Sequence, residues 1–274
     1  MKKLFIKQKH FSPRSAWTAL AAEAVPPSEL DKLSVFETVR AYDGRIFHLD
    51  RHMRRLSESC QGLSRSLPAA EEALGRSLTD ALAETGLSDA LMRLSVHGEG
   101  REGFFLLIIR EFHSHPETLY DKGVRVLCSV ERRPSARAVD TQIKSSQYTA
   151  GVLAAIDALE TPAHETLFLD PDLLVAEGTV SNIFIVKEKR VLTPPARSGI
   201  LRGVTREHVI ALARRLGLAV EETPFTRHEL YNAGECFLTN TSSEVLPVVS
   251  VDERRIGDGR PGTVSKLVRR RFRS

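Results

Sequence analysis

A short strand-turn-strand pattern that runs straight into an apolar stripe restricts the folds available to this chain. Residues 35–40, VFETVR, have the composition of a strand, and the turn residues YDGR follow at 42–45. Apolar residues then recur at spacings of four and three, which places them on one face of a helix: Leu49, Met53, Leu56, Cys60 and Leu63. The pattern predicts a hairpin that leads into an amphipathic helix, with Asp50 as the helix cap.

Strands and helices alternate along the rest of the chain, and their balance changes near residue 123. Before that point, a second helical pattern precedes strands at 91–96 and 104–109, so the first part reads as a sheet with helices on one side. After it, short strands dominate and a helix is predicted at 205–216. The segment EFHSHPETLYDKG, 111–123, is the predicted connection, and the chain is a mixed α+β protein in two parts.

Composition, charge and cysteine usage exclude several classes of protein. Apolar residues make up 42% of the 274 positions and charged residues 27%, which is typical of a folded soluble chain, and a formal charge of +4 does not indicate nucleic-acid binding. The three cysteines form no CxxC pair, so neither a disulfide framework nor a metal site is expected. The apolar run in MKKLFIKQKH is too short for a signal peptide, and no run approaches the ~20 residues of a membrane span. We therefore expect a cytoplasmic protein without membrane or nucleic-acid partners.

Five short motifs carry residues with chemical potential, although each has an ordinary structural explanation when taken alone. Lys144 stands in TQIKSSQY just ahead of an apolar, helix-like run, where a surface lysine is the commoner occupant. Arg55 in HMRRL fits a solvated helix residue, and Glu177 in AEGTVSN fits the cap of a turn. LRGVTRE at 201–207 fits a helix start, and LTNTSSE at 238–244 fits a hydroxyl-rich loop. Their order and spacing along one chain make the set informative.

In this order the motifs resemble the class IV aminotransferase family. These are the pyridoxal-phosphate enzymes of fold type IV, and they include branched-chain and D-amino-acid aminotransferases and aminodeoxychorismate lyase. The resemblance covers nearly all of the chain after about residue 33. It implies an α+β fold of two domains, with an N-terminal α/β sandwich at 1–112, an interdomain connection at 113–122 and a C-terminal pseudo-barrel flanked by helices at 123–274. Members are usually homodimers, and we expect the same here.

The resemblance also implies roles around the cofactor pyridoxal 5'-phosphate. Lys144 matches the catalytic lysine that holds the cofactor as a Schiff base, and a lysine that attacks an aldehyde and shuttles a proton must be uncharged part of the time. Glu177 matches the carboxylate that pairs with the pyridine nitrogen, because a protonated ring is the better electron sink. Arg55 matches the arginine that grips the phosphate. The other matches are a tyrosine near the phenolic oxygen and four positions that contact the phosphate: Tyr148, Val204, Thr205, Asn240 and Thr241.

Four further residues are candidates for the substrate side of the site: Thr38, Arg93, His97 and Arg101. The three basic side chains suit a substrate carboxylate. The sequence departs from the family here, since SELDKLSVFE has no aromatic-glycine pair before the strand and Leu91 stands where branched-chain enzymes have a tyrosine. Gly103 stands where D-amino-acid enzymes place a histidine two residues after the arginine. Thr38 replaces the glycine usual in branched-chain enzymes and is closer to the lyase form.

We therefore expect an enzyme that transfers an amino group between an amino acid and a 2-oxo acid, with branched-chain-type or broad specificity. The first alternative is aminodeoxychorismate lyase, which would use the same lysine to release pyruvate and form 4-aminobenzoate. The second is a catalytically inactive protein that binds the cofactor or interacts through its basic tail, SKLVRRRFRS at 265–274. The joint presence of Lys144, Glu177 and Arg55 favours an enzyme, and the tail reads more simply as a last helix with cations near its C-terminus.

Overall fold

A computed structural model describes residues 2–8, 17–20, 33–98, 103–133, 140–146 and 163–274 of the chain. The chain divides into two compact units, each with its own sheet. Unit 1 consists of Met1–His113 together with Ile143–Gln147, and unit 2 consists of Ser114–Gln142 together with Tyr148–Ser274. A short segment from the middle of the chain therefore belongs to the first unit.

Unit 1 combines an antiparallel sheet with two helices. Its strands are β1 (Lys2–Gln8), β2 (Thr18–Leu20), β3 (Val35–Tyr42), β4 (Arg45–Ile46), β5 (Ala90–His97) and β6 (Phe104–Glu111). Its helices in the described residues are α1 (Leu49–Gly62) and α2 (Glu71–Thr85). The order across the described sheet is β2-β1-β6-β5-β3-β4, and every neighbouring pair is antiparallel.

The helices of unit 1 cover one face of its sheet. Side chains alternate between the two faces of a strand, so Val35 and Val39 of β3 point the same way. Both are buried in one core with Met53 and Leu56 of α1, which come from the predicted apolar stripe. The hairpin-then-helix order predicted for this region is confirmed, and the other face of β3 carries the half-buried Phe36 and Thr38.

Two details of unit 1 differ from the sequence prediction. The prediction of Asp50 as the helix cap is wrong, because the cap is His48, in the left-handed conformation at φ 49°. Asp50 instead lies in the first turn, where the helix dipole still favours a carboxylate. Strands β1 and β2 are not predicted by any period-2 pattern, since their pairing with β6 and with each other is a tertiary effect.

Unit 2 is built on a larger mixed sheet. Its strands are β7 (Val124–Arg132), β8 (Glu165–Leu169), β9 (Val175–Gly178), β10 (Asn182–Lys187), β11 (Arg190–Thr193), β12 (Ala219–Glu222), β13 (Glu235–Asn240), β14 (Glu244–Val251) and β15 (Arg254–Arg255). Its helices in the described ranges are α3 (Glu117–Lys122), α4 (Val204–Arg215), α5 (Arg227–Tyr231) and α6 (Thr263–Arg270). None of the helices in the described part of either unit has the length and apolar character needed to cross a bilayer.

The described sheet of unit 2 curls on itself. Its order is β12-β11-β10-β13-β14-β7-β8-β9, with β15 on β14, and β7 runs parallel to both of its neighbours. A tight turn closed by Gly178 N–H donating to Ser181 O (2.7 Å) leads from β9 into β10, and β9 lies beside β10. The strands from β10 round to β9 therefore form a pseudo-barrel, whose core includes Leu167, Ile183 and Leu246.

The two units differ from the predicted domains in two respects. Residues 114–122 are part of unit 2, because α3 places Tyr120 in the unit 2 core. Residues 143–147 are part of unit 1, and the backbone of Lys144 and Ser146 pairs with the start of β3. Phe36 N donates to Lys144 O (2.9 Å), and Ser146 N donates to the carbonyl of Ser34 (2.8 Å).

The basic tail is used within unit 2. It forms α6 and the turn after it, so the interpretation as a last helix is confirmed. Arg269 pairs with Glu117 (2.7 Å) and lies over the ring of Tyr120 (3.8 Å from Cζ to the centroid). Arg273 pairs with Glu244 (2.7 Å). These contacts fasten the end of the chain to its own unit.

The carboxylate of Glu235 holds the start of α6. It accepts hydrogen bonds from Val264 N (2.9 Å), Ser265 N (2.9 Å) and Thr263 Oγ1 (3.3 Å), and it thereby satisfies N–H groups that a helix leaves without partners. A Cβ at Gly262 would overlap this carboxylate. Glu235→Ala is therefore expected to lower the free energy of unfolding by about 1–2 kcal/mol.

Urea denaturation measures this effect. Glu84→Ala, at an exposed position of α2, is the matched control, because it removes the same charge from a helix surface. A loss for Glu235→Ala no larger than that of the control would contradict the role assigned to this carboxylate.

Candidate active site

The backbone of Lys144 is clamped between β3 and α1 in unit 1. Its carbonyl accepts from Phe36 N (2.9 Å), and its N–H donates to Ser59 Oγ (3.2 Å) on α1. Its Nζ lies 4.7 Å from the centroid of the Phe36 ring. The side chain that the sequence predicts to be catalytic is therefore half-buried against an aromatic face on a fixed backbone.

Arg55 is held by a buried carboxylate, Glu37 of β3. Its Nε and Nη2 each donate to a different oxygen of Glu37, both at 2.7 Å. His52, one turn earlier on α1, places Nδ1 2.7 Å from the second of these oxygens. His52, Arg55 and Ser59 follow one another at helical spacing, so α1 carries a buried polar stripe beside its apolar one.

The charge state of this cluster follows from its contacts. Burial alone would raise the pKa of Glu37, but Arg55 and the hydrogen bond from His52 outweigh it and lower that pKa from 4.5 to about 2. Burial lowers the pKa of His52, as do the cations Arg55 and Lys144, although Glu37 acts in the opposite direction. At neutral pH the cluster is an ionised Glu37, a charged Arg55 and a neutral His52, with the proton on Nδ1 because an ionised carboxylate only accepts.

The depressed pKa of Glu37 predicts a contribution to acid stability. A carboxyl group whose pKa is lower in the folded state stabilises the fold above its unfolded pKa, near 4.5, and loses this contribution as the pH falls towards 2. The full contribution is on the order of 3 kcal/mol. The free energy of unfolding, measured at pH 7, 5 and 3.5, should fall more steeply below pH 5 for wild type than for Glu37→Gln. Parallel curves would contradict the ion pair.

The substrate-side candidates of unit 1 lie on the sheet face opposite the helices. Thr38 and Arg93 are direct partners across β3 and β5, and Arg93 Cζ lies 3.5 Å from the centroid of the Phe36 ring. Burial lowers the pKa of the Arg93 guanidinium. The ring of Phe36 therefore contacts both Arg93 and Lys144. Leu91 and Ile108 are half-buried neighbours on the same face.

His97 is a buried strand residue. The predicted strand 91–96 ends one residue too early, because β5 extends through His97 and leaves 3% of it exposed. Its Nε2 lies 2.8 Å from Ser95 Oγ, and its ring stacks on Phe104 with centroids 4.9 Å apart. Two other predicted site residues, Arg101 and Tyr148, lie outside the described residues, as does the helix predicted after Lys144.

Glu177 is the centre of a second polar cluster, in unit 2. Arg133 Nη2 pairs with Glu177 Oε1, and Arg133 Nε donates to Gly199 O (3.0 Å). The other oxygen of Glu177 accepts from Asn182 Nδ2 and from Leu201 N, both at 3.0 Å. All three polar side chains are at least nine-tenths buried. These contacts fix the carboxylate in place, and a carboxylate is the side chain that can stabilise a proton on a ring nitrogen.

The start of α4 lies next to this cluster. Asn182 Nδ2 also donates to Leu201 O (3.0 Å), three residues before Val204 and Thr205 begin the helix. The N-cap is Gly203, and no side chain in the described part of the chain caps the helix. A Cβ at Gly203 would overlap Asn182 Oδ1, so only glycine fits here. First-turn N–H groups of this kind suit a phosphate, so the residues present fit the predicted cofactor.

The loop 240–243 is organised by Asn240 itself. Its Oδ1 accepts from Ser242 N (3.0 Å), Ser242 Oγ (3.1 Å) and Ser243 N (2.7 Å). The carbonyl oxygen of the Asn240 side chain is thus turned onto its own loop, and the predicted contact of this residue with phosphate stays a prediction. Thr241 is half-buried between these anchored residues.

Sequence reasoning missed the residues that hold the predicted ones: Glu37, His52, Ser59, Arg133 and Asn182. A signal existed for the first two, since polar His52 and Arg55 fall three residues apart beside the apolar stripe of α1. A polar pair on a buried helix flank needs a partner, and VFE supplies a carboxylate one strand earlier. No comparable local signal marks Arg133 as the partner of Glu177.

Comparisons with known proteins identify the family of the chain. Residues 34–251 match the family model described as amino-transferase class IV. The chain is 31% identical over 255 residues to the branched-chain-amino-acid aminotransferase of Pseudomonas aeruginosa, covering 88% of this chain and 83% of that protein. It is 32% identical over 239 residues to the D-alanine aminotransferase of Bacillus licheniformis, covering 85% and 84%.

A solved structure gives the same result for the fold. The branched-chain amino acid aminotransferase of Escherichia coli superposes with a TM-score of 0.90 at 25% identity, and the match covers 98% of this chain and 93% of that one. Another solved branched-chain amino acid aminotransferase, crystallised with pyridoxamine 5'-phosphate, superposes with a TM-score of 0.89 at 28% identity. The predicted α+β architecture of an N-terminal sandwich and a C-terminal pseudo-barrel is confirmed by these matches.

Proposed function

The chain belongs to the class IV aminotransferase family and is a pyridoxal-phosphate-dependent aminotransferase, and from this premise we propose that it acts on amino acids with apolar, branched side chains and their 2-oxo acids. The observation that carries the proposal is the placement of Lys144 Nζ and Arg93 against the same ring, Phe36. An amine, a cation for a carboxylate and an apolar wall are what such a substrate requires.

The described residues supply three kinds of support for the cofactor. We propose that Arg55 and the first-turn N–H groups of Val204 and Thr205 hold its phosphate, with Thr241 as an added donor, and that Glu177 faces its ring nitrogen. When bound, the cofactor supplies an electron sink for the bond broken at the substrate's α-carbon. Tyr148 stays the proposed partner of the phenolic oxygen.

Lys144 is the proposed acid–base group of the reaction. Its Nζ would take the α-proton of the amino acid and give it back on the other side of the transfer, so one amine serves both halves. The hydrogen bonds from Phe36 N and to Ser59 Oγ fix the backbone of Lys144, so only the side chain has to move. Phe36 shields one side of the amine from water.

The half-buried apolar residues near Arg93 support the proposed side-chain preference. Leu91 and Ile108 lie on the same sheet face as Phe36, and Thr38 fills the position opposite Arg93. A branched aliphatic side chain would gain by covering this surface. Arg93 is the proposed carboxylate partner, since a guanidinium binds carboxylates through two parallel hydrogen bonds.

Turnover of defined substrates tests the proposal. The purified protein loaded with cofactor is incubated with 2-oxoglutarate and L-leucine, L-isoleucine, L-valine or D-alanine, and separately with aminodeoxychorismate. We expect the branched L-amino acids to be converted and the last two substrates to be inert. Formation of 4-aminobenzoate and pyruvate would establish the lyase instead, and conversion of D-alanine alone would overturn the proposed stereochemistry.

We also propose that the active form is a cytoplasmic homodimer. Two-fold dimers are the commonest oligomers of soluble enzymes, and the free thiols of Cys60, Cys128 and Cys236 suit a reducing compartment. Light scattering coupled to size exclusion is expected to give twice the chain mass of 30.5 kDa. A single chain mass at micromolar concentration would contradict the dimer.

A further inference from the structure

We propose that Glu37 and His52 are positioning residues for anion binding, which act by holding the guanidinium of Arg55 in one orientation. The inference rests on the proposed function, in which Arg55 binds the phosphate of the cofactor. It goes further in assigning a role to two buried residues, in VFETVR and HMRRL, for which the sequence predicts none. They would determine the affinity for the phosphate group and leave the rest of the cofactor unaffected.

The bonds to Glu37 determine which edge of Arg55 would face an anion. A guanidinium has two edges that can form paired hydrogen bonds, one at Nε and Nη2 and one at Nη1 and Nη2. Glu37 takes the first edge with two bonds of 2.7 Å. In the proposed function, an anion would pair with the terminal edge, and the two bonds to Glu37 set the direction of that edge.

Glu37 is itself held by its strand and by His52. It is fully buried on β3, where the strand backbone sets the position of its side chain. Its second oxygen also lies 2.7 Å from His52 Nδ1, so the carboxylate is held from two positions on α1, one turn apart. Loss of the His52 bond would leave the carboxylate held on α1 by Arg55 alone, so the orientation of the Glu37–Arg55 pair would be less tightly fixed.

Glu37 could affect phosphate binding in two ways, by orienting Arg55 or by its own negative charge. An ionised Glu37 beside Arg55 reduces the net charge that a phosphate meets. If charge alone mattered, removing the carboxylate charge would tighten phosphate binding. If orientation matters, the same change would weaken it, because the amide of glutamine sets one donor against Arg55 Nη2 and keeps only one of the two bonds. The two explanations therefore predict opposite changes in the affinity of Glu37→Gln for phosphate.

The test compares two probes that differ by the phosphate group. Full-length protein freed of cofactor is titrated with pyridoxal 5'-phosphate and with pyridoxal, and the ratio of the two dissociation constants is the readout. The variants are Glu37→Gln, His52→Leu and His52→Asn, with Glu84→Gln on α2 as the matched control. Circular dichroism and thermal unfolding establish that each variant is folded.

For Glu37→Gln we expect the phosphate form to bind about tenfold more weakly and pyridoxal to be nearly unaffected. For His52→Leu we expect the ratio of the two dissociation constants to change in the same direction but by less, about threefold. His52→Asn keeps a donor near the position of Nδ1, so its ratio should be close to that of wild type. If Glu37→Gln does not fold, the pair of His52 variants decides. The control is expected to leave both constants unchanged.

Three results would overturn the inference. These are tighter phosphate binding in Glu37→Gln, equal weakening of both probes, or identical ratios for His52→Leu and wild type. Failure of the proposed function looks different, because Arg55→Lys would then leave the ratio at its wild-type value. A changed ratio in Arg55→Lys together with an unaffected Glu37→Gln would sink the positioning role alone.

Discussion

Lys144→Ala is expected to lower the rate of transamination by about 10⁴-fold, because it removes the only proposed proton carrier of the reaction. The fold should survive, since the contacts that fix this residue come from its backbone: Phe36 N to its carbonyl and its N–H to Ser59 Oγ. The packing of Nζ on Phe36 is lost with the side chain. Leucine–2-oxoglutarate turnover under saturating cofactor measures the effect.

The matched control for this experiment is Lys266→Ala, an exposed lysine on α6. Its activity should equal that of wild type. Borohydride treatment of the loaded wild-type protein, followed by peptide mapping, should label Lys144 and no other residue. More than a tenth of wild-type activity in Lys144→Ala, or a label elsewhere, would refute the assignment of this lysine.

Glu177→Gln is expected to lower kcat/KM by about 10²-fold, equivalent to roughly 2.7 kcal/mol in the barrier. A neutral amide cannot stabilise a proton on a ring nitrogen as a carboxylate does. The variant also leaves Arg133 buried without its ion pair, which costs about 3 kcal/mol of stability. The measurements are steady-state kinetics on folded protein and thermal unfolding of the same samples.

A double variant separates the two consequences of Glu177→Gln. Adding Arg133→Met removes the buried charge that has lost Glu177, so stability should return towards wild type while activity stays low. Recovery of activity together with stability would mean that the carboxylate acts only on the fold. That result would contradict the role proposed for Glu177 at the ring nitrogen.

Local patterns predict the elements that position the site, but they do not predict its internal pairing. The stripe Met53, Leu56 and Cys60 identifies α1, and the motif GVTRE identifies the start of α4. By contrast, Arg55 on a helix contacts Glu37 on a strand, 18 residues earlier in the chain. Arg133 contacts Glu177 from another part of the chain. Such pairs depend on tertiary packing, which period and spacing do not report.

Two further differences between sequence and structure have local physical causes. The glycines after His97 favour a loop, but stacking on Phe104 and the bond to Ser95 extend the strand through this residue. Asn240 matches a phosphate-contacting motif, and that contact stays a prediction, but the motif does not indicate the hydrogen bonds that its side-chain oxygen accepts within its own loop, as asparagine commonly does in turns. In both cases nearby partners add contacts that the local pattern does not specify.

The assignment of residues 143–147 to unit 1 has a consequence for biosynthesis. The start of β3 is paired by Lys144 and Ser146, which are made about a hundred residues after β3 itself. A nascent chain that has reached His113 holds every described strand of the first sheet but leaves this edge of β3 open to other strands. A fragment ending at His113 should therefore self-associate, both on the ribosome and in isolation. Adding a peptide of residues 143–147 should suppress this self-association.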